Sequence, residues 1–301
     1  MAAISAKKTT IKDSLGDKIF LICIYVVLSI IVVVVLYPLI YVLSSSFSSP
    51  NAVTSGRVWL WPVELSLKGY ETLLRTPQVV TGYVNSLIYT TAGAAISVFL
   101  TIMIAYPISR RTFYGRTILM MLITFTLLFN GGLIPTYMVV KQMHLIDTRW
   151  AVLIPSAVYA YQVIIARTFF QSSIPDELID ASDIDGCSDF RFIRSVVIPL
   201  SKPVIAVLAL FYAVGQWNAY FDALIYLKSD KLFPLQLILR SIIILNNSSN
   251  GQDALKLVER QQLSELLKYS LIVVSSLPVL MIYPFVQRFF TQGLLVGSVK
   301  G

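Results

Sequence analysis

Catalysis needs a nucleophile, a base or a metal held at fixed spacing, and this sequence assembles none of these. His144 is the single histidine. No second histidine, cysteine or carboxylate stands at ligand spacing from it, so no metal site and no Ser-His-Asp arrangement is expected; it reads as a solvent-facing loop residue. Cys23 lies in an apolar run and Cys187 in a distant polar stretch, which gives neither a disulfide framework nor a zinc pattern. No Gly-x-x-x-x-Gly-Lys-Ser/Thr occurs, so nucleotide phosphates are not cradled in that way. Two groups of residues remain. Gln216, Trp217, Asn218 and Tyr220, followed by Asp222, sit within an apolar run, where polar groups face a bundle interior or a watery cavity. Their amides could bond sugar hydroxyls and their rings could stack on pyranose faces; equally, they could hold helices together or anchor at the membrane interface. The second group is the charged, patterned stretch 175–203.

The elements that must position these residues are membrane spans. Of 301 residues, 56% are hydrophobic and 13% charged, with a mean hydropathy of +0.74. A soluble domain carries about 25% charged residues, so this chain has too little polar surface to coat a water-soluble globule. The net charge of +8 sits at the ends of apolar runs, as for anchors near anionic headgroups. It does not form the dense basic cluster with interleaved aromatics that nucleic acid would need. After Lys7, Lys8, Lys12 and Lys18, the apolar run 19–43 is longer than the roughly 7–15 residues of a secretory signal core and reads as a retained span.

Six runs are near the roughly 20 residues a helix needs to cross the hydrocarbon core: 19–43, 86–108, 118–140, 150–166, 204–227 and 269–286. The fold class expected is therefore an all-α integral membrane protein with six transmembrane helices. Lys and Arg are densest in the N-terminal tail, in the short connection with Arg110, Arg111 and Arg116, and around 170–203, which places both termini in the cytoplasm of a multi-pass cell-membrane protein. The organisation follows: a cytoplasmic tail 1–18, a first span 19–43, an extracytoplasmic loop 44–85, a core of five spans over 86–286 that includes a cytoplasmic loop 170–203, and a cytoplasmic tail 287–301. Trp59, Trp61 and Trp150 mark the outer interface, and 246–252 reads as a flexible turn. Asn130-Gly131-Gly132 and Pro135 interrupt the third span, either to break the helix at a pore or to allow close packing.

The stretch 175–203 reads as helix, turn, helix. Ser173 can cap the first helix, with Asp176 and Glu177 in its first turn. Gly186 supplies the left-handed residue that ends it. Ser188 can cap the second helix, on which Phe190, Ile193 and Val197 share a face at helical spacing, and Pro199 and Pro203 disturb it as the chain returns to the membrane. The pattern Asp180-Ala181-Ser182-x-x-Asp185-Gly186-Cys187, with Pro199-Leu200 further on, resembles the "EAA" loop of ABC importer permeases. That family shows Glu-Ala-Ala-x-x-Asp-Gly-Ala with Pro-Leu at the same offset. Asp180, Ser182 and Cys187 are departures that keep size or charge type. Asn85-Ser86 is similar to the family's start of that span. The tail from Phe289 to Gly301, with Gly293, Gly297 and Lys300 as contact residues, resembles sugar-importer permeases of the maltose-permease type. Phe129 to Tyr137 and Gly215 to Ala223 are similar to a subgroup handling complex oligosaccharides.

The resemblance implies a permease subunit, not an enzyme, translocating a carbohydrate handed over by an extracytoplasmic solute-binding protein. It implies pairing with a second, homologous permease and with two ATPase subunits that hold the ATP and Mg, with no cofactor on this chain. Glu177, Asp180, Ala181, Ser182, Asp185, Gly186 and Pro199 would then couple the spans to an ATPase cleft, and Gln216, Trp217, Asn218 and Tyr220 would line the substrate path. Asp185 could fix the turn by bonding backbone amides. Two other expectations are the same machinery carrying a non-sugar solute and an ion-coupled secondary transporter; for the latter, mid-span carboxylates and inverted repeats are not evident.

Overall fold

The computed structural model describes residues 14–245, 265–284 and 287. These residues are helices and connections. The turn expected at 246–252 and the tail residues Gly293, Gly297 and Lys300 lie outside the described residues.

The first helix, α1 (Leu15–Ser46), starts on a reciprocal cap: Asp17 N–H donates to Ser14 Oγ, and its carboxylate accepts from Ser14 N–H. From Ile19 to Tyr37 its large apolar side chains are exposed all round, the condition of a helix solvated by lipid or by another subunit rather than by its own chain. Its far end is tied down. Ser44, Ser45 and Ser46 are buried; Ser44 Oγ donates to Leu60 O (2.6 Å), and Tyr70 OH donates to Ser46 Oγ (2.8 Å). The connection to the next span carries α2 (Pro50–Thr54) and α3 (Lys68–Arg75).

The central helix, α4 (Pro77–Ser109), begins well before residue 86 because Pro77 opens it at a position where a missing N–H costs nothing. No other described helix packs against as many neighbours. After a left-handed Gly115 (φ 84°) come α5 (Arg116–Leu128) and α6 (Leu133–Gln142), bent 117° from one another. Gly132 has φ 85° at the break, with its N–H held by Asn130 Oδ1 (2.9 Å). Little surrounds Gly131, so these glycines serve the bend and not close helix packing.

The expected span 150–166 divides differently. Pro155 ends the short α7 (Trp150–Leu153), and a new helix, α8 (Ala160–Ser173), runs past the expected end because Val163, Ala166 and Phe170 bury against α4. Ser173 therefore closes α8 and caps nothing; Pro175 occupies the N-cap of the following helix, α9 (Asp176–Ile184). Then come α10 (Asp189–Phe192), a single π-helical turn Ile193–Val197, α11 (Ile198–Leu200), α12 (Lys202–Asn218), α13 (Phe221–Tyr226) and α14 (Leu235–Leu245). The expected span 204–227 is broken at Ala219 and Tyr220, between α12 and α13. The last described helix, α15, is Glu265–Pro284.

Among the described residues three helices, α1, α4 and α15, are long and apolar enough to cross a membrane, or up to five if each of two bent pairs is one span. The main core joins α4 (Ile102, Ala105, Tyr106), α8 (Val163, Ala166, Phe170) and α12 (Val204, Leu208, Tyr212). Thr101 and Tyr212 share a buried hydroxyl bond of 2.7 Å within it. At the other end of α4, Asn85 Nδ2 donates to Lys231 O (2.7 Å), Tyr89 OH to Leu232 O (2.8 Å), and Leu235 N–H to Ser86 Oγ (2.8 Å).

Candidate functional site

The patterned stretch forms an elbow. Asp176 and Glu177 lie in the first turn of α9, where carboxylates complement the helix dipole. Glu177, Asp180, Ala181, Asp185 and Gly186 are exposed, and Ser182 is half-buried with its Oγ donating to Ile179 O (2.8 Å). The turn is closed by backbone groups alone: Cys187 N–H donates to Ser182 O (2.9 Å) and Gly186 N–H to Asp183 O (3.1 Å), the paired bonds of a Schellman ending. Gly186 has φ 65°, where a side chain is disfavoured. Among the described residues Asp185 makes no side-chain hydrogen bond, and the neighbouring Gly186 and Cys187 amides donate to backbone carbonyls instead; the bond expected of it does not form.

Ser188 stands at the N-cap of α10 but gives no side-chain cap bond. Of the face expected from Phe190, Ile193 and Val197, Val197 is buried and Ile193 packs against the same core, while Phe190 turns outward. The π-helical turn adds a residue to the repeat, so Phe192 and Val197 point into the core while Phe190 is 69% exposed. Phe192 and Val197 pack with α4, α8 and α12. Pro199 is exposed within α11, and at Ser201 the chain bends 83° into α12. One arm of the elbow is thus embedded in the core. The other presents Leu178, Ile184 (87% exposed) and its carboxylates outward.

The residues expected along a substrate path separate. Gln216 lines a cavity of about 580 Å³ bounded by α5, α8, α12 and α13. Its Nε2 donates to Ser156 Oγ (3.3 Å), and its Oε1 is buried with no partner among the described residues. Trp217 does not reach that cavity: it is buried, donates Nε1–H to Ser275 O (2.9 Å) and meets Tyr83 edge-on, which ties α12 to α4 and α15. Asn218 is exposed and donates back to Val214 O (2.9 Å). Tyr220 lies under the Arg240 guanidinium, 5.0 Å from its ring centroid. Tyr159, Tyr161, Gln162, Tyr212 and Asp222 line the cavity instead. Tyr159 and Tyr212 stack at 6.2 Å, so the cavity offers aromatic faces beside an amide with a free acceptor. Its α8 residues carry a signal, an aromatic and an amide three apart at a helix start, that a span placed at 150–166 obscures.

The family model for the binding-protein-dependent transport system inner membrane component matches residues 1–296. The chain belongs to that family. Among curated proteins, this permease is 39% identical to the polygalacturonan/rhamnogalacturonan transport system permease protein YtcP of Bacillus subtilis (strain 168), over 95% of this chain and 99% of that one. It is 37% identical to protein LplC of the same organism, over 97% and 98%. Among solved structures, it is similar to a chain in the crystal structure of a bacterial ABC transporter involved in the import of the acidic polysaccharide alginate. That match has a TM-score of 0.86 and 35% identity, covering 93% of this permease and all of that chain. The permease is thus an inner-membrane transport component.

Proposed function

We propose that this chain is the permease subunit of an ATP-binding-cassette importer for an oligosaccharide, handed over by an extracytoplasmic solute-binding protein. The observation that carries this reading is the elbow: an exposed acidic helix, a glycine turn, and a second arm whose Phe192 and Val197 belong to the same core as α4, α8 and α12. A body built in this way transmits displacement, where a loose loop would absorb it. Glu177, Asp180, Ala181, Ser182, Asp185, Gly186 and Pro199 form the coupling surface for an ATPase cleft, with ATP and Mg held by two such partner subunits and none by this chain. A second homologous permease completes the path. Six spans, with both termini cytoplasmic, fit this reading when each bent pair is one crossing and the α7–α8 segment supplies another. The sugar-transport names of the relatives support a carbohydrate cargo, as do Gln216 and the tyrosines of the cavity.

Gly186→Val tests the coupling role. A β-branched residue at φ 65° costs about 1–2 kcal/mol, so the productive elbow should be depleted roughly tenfold. In proteoliposomes holding the full importer, ATP hydrolysis is expected to persist while uptake falls by about that factor. Uptake at the normal rate removes Gly186 from the coupling device.

A further inference from the structure

A second cavity, of about 1190 Å³, opens beside the elbow, between the end of α4, the start of α5, the far end of α8 and the first turn of α9. Arg110, Arg111, Arg116 and Arg167 line it, against the carboxylates of Asp176 and Glu177. Arg111 is paired with Asp176, Nε to Oδ2 at 3.5 Å, in an exposed bridge. Arg116 reaches only the Arg110 carbonyl, at 3.5 Å. Arg110 is 7% exposed and lies over the Tyr106 ring, 4.7 Å from its centroid. Among the described residues its Nε and Nη2, and the Nε of Arg167, are buried without a hydrogen-bond partner. Burial pulls the Arg110 pKa below its ordinary value, with Tyr106 and Asp176 opposing, yet a guanidinium stays charged at physiological pH. Four guanidiniums face two carboxylates here, so the lining keeps a net positive charge, and buried donors left without acceptors are costly; the site is suited to receive an anion.

The position of the cavity narrows the choice of anion. Along α8, Tyr159, Tyr161 and Gln162 face the smaller cavity while Arg167 and Gln171 face this one; along α5, Thr126 and Leu127 face the former while Thr124 and Phe125 face the latter. The two chambers therefore follow one another along a single groove, the first suited to hydroxyls and ring faces, the second to carboxylates. We propose that the arginine chamber is a second station of the transport path, and that it binds the carboxylate groups of an acidic oligosaccharide. A carboxylate matches the guanidinium fork in plane and in spacing. The proposal rests on the oligosaccharide reading above.

The test compares uptake of trigalacturonate with uptake of its methyl ester, by the full importer in phosphatidylcholine vesicles. Arg167→Gln and Arg116→Gln, at partly exposed positions that the core does not need, should each lower the acid-to-ester ratio of rates about tenfold, the scale of one charge-assisted contact. Arg167→Lys, which keeps the charge, should recover part of the ratio. An unchanged ratio in both glutamine variants overturns the proposal, as does a wild type that imports the ester alone. A ratio that falls only when phosphatidylglycerol is added assigns the chamber to a lipid headgroup and likewise overturns it. A wild type that imports neither saccharide overturns the proposal, and uptake of a neutral oligosaccharide by the same vesicles would show that the oligosaccharide reading stands without it.

Discussion

Asp147 shows how a single side chain can hold two distant connections together. It has φ 60°, and its carboxylate accepts from Lys228 N–H (2.8 Å), Ser229 N–H (2.8 Å) and Ser229 Oγ (2.6 Å), while its own N–H donates to Tyr226 O. The Ser229 hydroxyl and the two backbone amides hold its pKa below the ordinary carboxylate value. A depressed pKa means that the stabilisation is present above the unfolded value, about 3.9, and is lost as pH falls through the lower folded value. The Lys228 and Ser229 amides should therefore be protected from hydrogen exchange at neutral pH and lose protection only in strong acid. Asp147→Asn, which replaces the ionised acceptor by a neutral amide, should lose protection already at pH 7. Equal protection in the two proteins at pH 7 would show that the carboxylate does not hold the loops.

At the scale of elements, the approach of α4 to α12 turns on Gly93. A Cβ there would lie 2.9 Å from Gln216 Cγ and 3.0 Å from Cδ, so Gly93→Ala must either push Gln216 out of the cavity or part the helices, at about 1–3 kcal/mol. The expected result is a lower melting temperature for the purified importer and slower uptake. Adding Gln216→Ala should restore the melting temperature but not the uptake, since it removes the clash and the cavity amide together; additive losses in melting temperature would show that the two positions are independent. The same scale shows what sequence could reveal. The spans α1, α4 and α15 announce themselves as long apolar runs, and Gly186 marks the elbow because few other residues tolerate its backbone angle. Pro155 was visible too, but apolar residues continue on both sides of it, so hydropathy alone joins α7 to α8. The π-helical turn at Ile193–Val197 leaves no mark in composition, and it sets Phe192 and Val197, five residues apart, on one core face. Arg110 and Arg167 read as ordinary basic residues near span ends; only the packing around them shows that guanidinium nitrogens of both are buried with no hydrogen-bond partner among the described residues.

For the whole molecule, α4 sets the distance between the two ends. Its 33 residues span about 50 Å at 1.5 Å each, more than the hydrocarbon core of roughly 30 Å. Asn85 and Tyr89, near one end, hold the 231–233 connection, while Arg110 and the elbow lie at the other. In a background with Cys23 and Cys187 replaced by serine, Trp61→Cys and Lys228→Cys should label with an impermeant maleimide from outside right-side-out vesicles, and Ile184→Cys only after permeabilisation. Labelling of all three from one side would break the proposed topology.

The near-perpendicular junction at Ser201 makes the second arm of the elbow and α12 a crank. Twisting the segment Asp189–Leu200 about its own length swings α12 sideways. With 17 residues, α12 is a lever of about 25 Å, so a twist of about 10° carries its tip some 4 Å (about the width of one side chain). Gln216 rides almost at that tip. Under the proposed function, a modest torque at the elbow would be amplified at the wall of the aromatic chamber, and Gln216 would be among the residues moved furthest.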